Sequence, residues 1–207
     1  MNDQLPIILL GCGGHARSCI DIIENDGRFR IAGLIGLEYE VGNEILGYKV
    51  LASEVDLDKM KKIAKHALVT IGQIKTPEIR VRLFNSIIFG GWSTPSIISP
   101  KAVVSRHAII GDGTIVMAGA IVNAGARVGS NCIVNSRALI EHDCNIGDHC
   151  HISTGAIING EVIIGSSSFV GSGALVHQGL VIGKGCVIGM GQMILKNCPD
   201  QSRIPAW

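Results

Sequence analysis

From residue 98 to residue 194 an Ile or Val stands at every sixth position, Ile98, Val104, Ile110 and onward to Ile194, seventeen in succession. Four residues after each, the side chain is mostly small: Ala102, Ala108, Thr114, Ala120, Ala126, Cys132, Ala138, Cys144, Cys150 and Ala156. A period of six fits neither an amphipathic helix nor a simple alternating strand, but it is the repeat of a parallel β-helix in which each hexad supplies one flat strand and one bend. The aliphatic fills the interior, and the small residue lets the chain turn inward without overpacking. Gly111, Gly129, Gly147, Gly165 and Gly183 each follow an aliphatic and recur at 18 residues, so three hexads close one coil of a three-sided prism. The repeat region spans about five to six coils.

Aromatics make up only 4% of the 207 residues, and Gly reaches 27, which suits stacked coils and not a core of large rings. Lys and Arg total 18 against 17 Asp and Glu, a formal net charge of +1 with no basic block, so nucleic acid is not the expected partner and a small molecule is. No apolar run approaches the roughly 20 residues of a spanning helix. The start Met1-Asn2-Asp3-Gln4 lacks a basic n-region and Leu5 to Leu10 is too short for a signal core, so a cytoplasmic protein is expected.

The composition breaks between Trp92 and Ser99, dividing the chain into an expected α/β domain, 1–92, and a β-helix domain, 93–207. In the first, Ile7–Leu10, Arg30–Ile35 and Ala67–Ile71 read as strands, and Arg17–Glu24, Asp58–Lys65 and Pro77–Ile87 as helices, a small Rossmann-like parallel arrangement. Gly11-Cys12-Gly13-Gly14-His15-Ala16 matches G-x-G-x-x-A between a strand and a helix, where backbone amides at a helix N-terminus hold phosphate. Three readings are open: a dinucleotide cofactor, disfavoured because Ile35-Gly36-Leu37 offers no acid for a ribose hydroxyl; glycines that merely permit a tight turn; and, favoured, a nucleotide-linked substrate held by Gly11, Gly13, Gly14 and His15.

His142-Asp143-Cys144 and His149-Cys150-His151 resemble metal-ligand clusters, but the register places Cys132, Cys144, Cys150, Cys186 and Cys198 at the small inward position, so no metal is expected. Free core thiols fit a reducing compartment. His142 falls at a bend, with small Ala124 and Gly160 one coil below and above it, so its ring stands in a recess and Asp143 can orient it. A solvated corner histidine is the equal alternative on position alone.

The stretch from Asn135 to Ala156, with Ile140-Glu141-His142-Asp143 and His149-Cys150-His151 within it, resembles the active-site segment of bacterial hexapeptide-repeat sugar acetyltransferases. That family includes sialic acid O-acetyltransferases and the N-acetyltransferases of bacillosamine and related 4-amino-4,6-dideoxysugars. The resemblance extends over essentially the whole chain, the Gly11–Ala16 loop included. It implies a left-handed prism, a homotrimer with acetyl-CoA lying between subunits, His142 as general base assisted by Asp143, and His151, Gly160 and Asn135 at the acetyl-CoA, the Gly160 amide stabilising the thioester oxygen.

Direct transfer from the thioester needs no enzyme nucleophile. The expected reaction is therefore acetylation of the amine of a nucleotide-linked 4-amino-4,6-dideoxysugar in bacterial surface glycan synthesis. O-acetylation of a sialic-type acid, an acyltransferase of other specificity, and a noncatalytic or metal-binding prism are the alternatives. Two departures from relatives stand out. Uridine-linked enzymes often carry acids where Ile35-Gly36-Leu37 lies, and the end Arg203-Ile204-Pro205-Ala206-Trp207 lacks their basic tail, leaving Trp207 as a substitute contact for CoA.

Overall fold

The computed structural model describes residues 4–205, so Trp207 lies outside the described residues. The chain opens with β1 (Leu5–Leu10), α1 (Gly14–Asp26), β2 (Phe29–Gly36), β3 (Glu44–Ile45), β4 (Tyr48–Ser53), β5 (His66–Val69) and α2 (Glu78–Phe89). They build one sheet in the order β3-β4-β2-β1-β5, parallel except for β3. Alternation along β1 divides the core. Ile7 and Leu9 face α1, packing with Cys19, Ile20 and Ile23, while Ile8 and Leu10 face α2, packing with Leu83, Phe84 and Ile87.

Two local readings of the sequence are corrected. Asp58–Lys65, expected as an α-helix, is replaced by 3-10 turns over Glu54–Lys62, a segment with no fully buried residue and so no packed face to hold a wider helix. The β3–β4 hairpin was not anticipated, because its two-residue turn places Leu46 at φ 50 and Gly47 at φ 84, positive values for which Leu is an unusual choice.

After α2 the chain passes Trp92, buried under the sheet, and Ser93, which bridges to His66 beside β5, before entering the prism. From Ile97 on, two-residue strands alternate with turns and stack into three parallel sheets of seven, six and five strands. Every strand pairs with the strand 18 residues away, Ile133 with His151, Leu139 with Ile157, Asn145 with Ile163. The second residue of each strand, from Val116 to Ile194, is buried in one continuous core with the small corner residues Ala120, Ala126 and Ala138. The seven-stranded face is closed by the α/β domain at its start, since Ile97, Ile115, Ile133 and Met117 join the α1 side of the α/β core.

The inward cysteines do more than fill space. Along one corner Thr114, Cys132, Cys150, Ser168 and Cys186 form a column in which each side chain donates to a carbonyl on the coil above. Thr114 Oγ1 donates to Gly129 O at 2.7 Å, Cys132 Sγ to Gly147 O at 3.2 Å and Ser168 Oγ to Gly183 O at 2.9 Å. Each also accepts from the amide 18 residues on, as Thr114 Oγ1 does from Cys132 N at 2.9 Å and Ser168 Oγ from Cys186 N at 3.0 Å. Thr, Ser and Cys are interchangeable here because each is both donor and acceptor. The buried column is thereby satisfied along its length.

Candidate active site

His142 sits at the bend after Leu139–Ile140, with Asp143 next to it at φ 60, a left-handed turn position that a short polar side chain tolerates. Its Nδ1 lies 3.0 Å from Asp143 Oδ2, and both side chains are exposed. That hydrogen bond, with the negative charges of Asp143, Glu141 and Glu161, raises the imidazole pKa above its ordinary value. Glu141 is itself held by Asn123 Nδ2 at 2.8 Å. The ring lies across Gly160: a Cβ there would stand 2.6 Å from His142 Nε2. Gly160 N–H has no hydrogen-bond acceptor among the described residues, whereas the next amide, Glu161 N, donates to His142 O at 2.9 Å. A tethered imidazole above an unengaged amide can take a proton on one side and stabilise negative charge on the other.

His151 is different in kind. It begins a strand of the seven-stranded face, 6% exposed, with Nδ1 donating to Gln73 O and Nε2 accepting from Asn135 Nδ2 at 3.1 Å. Both nitrogens are thus engaged and the tautomer is set. Burial pushes its pKa down to about 4, so the ring is neutral and rigid, and Phe169 meets it edge-on at 5.2 Å. Asn135 and His151 together line a cleft of about 550 Å³ that runs along this face, largely apolar through Phe169, Val187 and Ile204, with Lys75 and Arg203 at its rim. Its wall is the loop after β5, through Ile74.

The expected site residues are therefore not all brought together within one chain. His151 lies nine residues after His142, and since strands pair at 18 residues, nine is half a coil. His142 and the His151 cleft face opposite sides of the prism. Asn135 joins His151, and Gly160 joins His142. Among the described residues no group of three or more His, Cys, Asp or Glu side chains converges as a metal site, and Cys144 and Cys150 point into the core.

The glycine loop opens a second cavity of about 410 Å³ over the carboxyl ends of β1, β2 and β5. Gly11, at φ 119, passes so close to the loop after β5 that a Cβ would stand 2.5 Å from Ile71 Cγ1. Gly13 caps α1 without a side chain, leaving the helix N-terminus open to the cavity beside Gly14. His15 is not solvated: it is half-buried, its Nε2 has no partner among the described residues, and burial together with nearby Arg80 and His151 drives its pKa down to about 3.

Three residues that the sequence did not mark shape these sites. Arg80 on α2 is 1% exposed and ties the domains together, donating from Nε to Asn131 O at 3.1 Å and from Nη1 to Val69 O at 3.0 Å. Its charge favours the neutral forms of His15 and His151. Gln73 fixes His151 through its backbone. Glu40, beyond the end of β2, folds back so that its carboxylate enters the glycine-loop cavity. The acid missing from Ile35-Gly36-Leu37 is supplied from three residues later. A helical spacing from Leu37 is the only signal that pointed to it.

An α/β cap on a three-sided hexapeptide prism, with a phosphate-ready glycine loop and a His–Asp pair on the outer bend, defines a hexapeptide-repeat transferase. Residues 6–87 match the PglD N-terminal domain family, 107–142 match bacterial transferase hexapeptide (six repeats), and 161–196 match hexapeptide repeat of succinyl-transferase. Perosamine N-acetyltransferase from Caulobacter crescentus, in complex with CoA and GDP-perosamine, is 28% identical with a TM-score of 0.90 over 97% of this chain and 94% of that one. The acetyltransferase domain of PglB from Neisseria gonorrhoeae, in complex with acetyl coenzyme A, is 28% identical with a TM-score of 0.89 over 98% and 97%. WeeI from Acinetobacter baumannii shares the fold, at 23% identity and a TM-score of 0.84 over 97% and 96%. A search of curated protein sequences finds no match. The chain belongs to the hexapeptide-repeat sugar acetyltransferase family. Among the described residues no helix is long and apolar enough to cross a membrane.

Proposed function

We propose that this protein transfers the acetyl group of acetyl-CoA to the amine of a nucleotide-linked 4-amino-4,6-dideoxysugar for bacterial surface glycan synthesis, in the cytoplasm and as a homotrimer, with His142 as general base. The carrying observation is the His142–Asp143 pair laid over Gly160. Asp143 occupies Nδ1, so Nε2 is the nitrogen that receives a proton. The sugar amine attacks the thioester carbonyl as His142 takes its proton. The developing oxyanion is met by the Gly160 amide, the carbon–sulfur bond breaks, and the imidazolium returns the proton to the CoA thiolate. General-base assistance of this kind contributes roughly 10²- to 10⁴-fold.

The remaining parts support the same reading. The apolar cleft beside His151 suits the pantetheine arm, and Lys75 and Arg203 suit its phosphates. The open N-terminus of α1 suits the sugar diphosphate. Because His142 and the cleft face opposite ways, an acetyl-CoA lying in one subunit's cleft reaches the histidine of another, which is the reason a trimer is part of the proposal. Relatives that carry CoA and GDP-perosamine, one of them crystallised with asparagine in place of a histidine, lend weight to the substrate class.

The test is thiol release from acetyl-CoA against GDP-, UDP-, dTDP- and CMP-linked sugars, each with amine and hydroxyl acceptors. Turnover confined to amine acceptors is expected. Turnover only with the hydroxyl of a sialic-type acid would replace this proposal by O-acetylation, and no turnover with any acceptor would sink it.

A further inference from the structure

We propose that Glu40 reads the ribose of the sugar nucleotide, so that the enzyme selects ribonucleotide-linked over 2′-deoxyribonucleotide-linked sugars. This rests on the reading of the glycine-loop cavity as the nucleotide site.

The chain builds this carboxylate into place. After β2 ends at Gly36, Leu37 is extended and Glu38–Glu40 make a single 3-10 turn, which swings the Glu40 side chain back over the strand end. Leu37 N donates to Glu40 Oε2 at 2.7 Å and fixes it there. The fit is close: a Cβ on Gly36 would stand 2.6 Å from Glu40 Oε2 and 2.7 Å from Cys12 Sγ. Gly36 is thus the residue that admits the carboxylate, and Cys12, which directly precedes Gly13, is its neighbour. The thiol responds to that neighbour, since burial first and the Glu40 charge second push its pKa up to about 11.

The carboxylate has spare capacity. Oε1 has no partner among the described residues, and no basic side chain there pairs with Glu40. The one arginine that lines the cavity, Arg82, is bound to Glu54 at 2.6 and 3.2 Å. An uncompensated acid in a cavity suited to a diphosphate opposes the ligand's charge, and only a donor on that ligand reverses the effect. Position identifies the donor. β1 and β2 are adjacent parallel strands with Leu10 opposite Ile35, so the glycine loop and the Glu40 turn stand one strand spacing apart, about 4.8 Å. With phosphate on the α1 N-terminus, the first donors met over that distance are the ribose hydroxyls, as with the acid that ends the second strand of dinucleotide folds.

The experiment is calorimetric titration of the full-length protein with GDP, 2′-deoxy-GDP, UDP and 2′-deoxy-UDP, for the wild type and Glu40→Gln. Gln keeps an oxygen for Leu37 N–H but loses the charge and one acceptor. The wild type is expected to prefer each ribonucleotide over its deoxy partner by about 10-fold or more, as for a hydrogen bond to a charged group, and Glu40→Gln to reduce both ratios below about 3-fold. Equal binding of ribo and deoxy forms by the wild type would overturn the proposal, and that ratio decides the matter even where the variant fails to fold. So would a variant that keeps the ratio, or one that changes only GDP relative to UDP, which would make Glu40 a reader of the base. Absence of binding by all four nucleotides would remove the nucleotide-site reading along with it, whereas binding without discrimination would remove this proposal alone.

Discussion

The imidazole of His142 rests on Gly160 so closely that a single methyl on that glycine would stand 2.6 Å from Nε2. The glycine is needed for the ring, not for the backbone, because it adopts no left-handed conformation. Gly160→Ala is therefore expected to swing the exposed ring aside with a stability change within about 0.5 kcal/mol, typical of a surface substitution. kcat should fall toward that of His142→Ala, itself lower by about 10²- to 10⁴-fold. Thermal melting and steady-state kinetics on the two variants check this, and a fully active Gly160→Ala enzyme would dismiss the ring placement.

Asp143 sets the pH at which the base works. Its hydrogen bond is the chief cause that raises the His142 pKa, and a general base must be neutral to act. Activity should rise with pH through a midpoint above the ordinary histidine value of 6.5. In Asp143→Asn the main upward cause is gone, so the acid limb of kcat/KM moves to lower pH while the maximum rate drops. An unmoved limb would mean that another group titrates.

The half-coil offset predicts complementation between subunits. His142→Ala removes the base, and Met190→Arg, at a half-exposed position lining the cleft, blocks the opposite side. Each variant alone should be inactive. Co-expressed with distinct affinity tags and purified as mixed oligomers, they should regain part of the activity, since some interfaces then join an intact cleft to an intact histidine. Mixed oligomers without activity would place both groups of a site in one chain.

Polar links in the corner column should be felt as stability. Thr114→Val keeps the shape but leaves Gly129 O and Cys132 N without their partner, at a cost of about 1–3 kcal/mol. Thr114→Ser, which retains donor and acceptor, should lose less. Denaturant unfolding of both variants measures the difference.

Gly11→Ala tests the loop. At φ 119 with Ile71 Cγ1 in the way, an added Cβ is strained and crowded at once, and a loss of about 1–3 kcal/mol is expected along with weakened nucleotide binding. A melting curve and a nucleotide titration report the two effects separately.

The prism was legible in the sequence because its signal is additive: every coil repeats the demand for an inward aliphatic, so Val116 through Ile194 announce one another. The inward cysteines followed from that register, although their hydrogen bonds did not, since periodicity carries volume and not polarity. His142 was visible as a bend residue between Ala124 and Gly160. Glu40 was invisible, because its role depends on a three-residue turn curling back over Gly36, and such a turn leaves no period. Gln73 acts on His151 through a backbone oxygen, which any residue type would provide. The strand β4 was missed for a related reason, its hairpin resting on Leu46 in a conformation usually given to glycine or asparagine.

Stacking at 18 residues per level also turns the chain into a ruler. Parallel strands lie about 4.8 Å apart, so an insertion of one whole coil ahead of His142 would carry the base about 4.8 Å further from the α/β cap while every inward side chain kept its place. An insertion of one residue would instead rotate all later aliphatics out of the core. Reach between the cap's cavity and the base can therefore change only in whole steps. A sugar donor of different length is more readily met by reshaping the cap, as at Glu40, than by any adjustment within the stack.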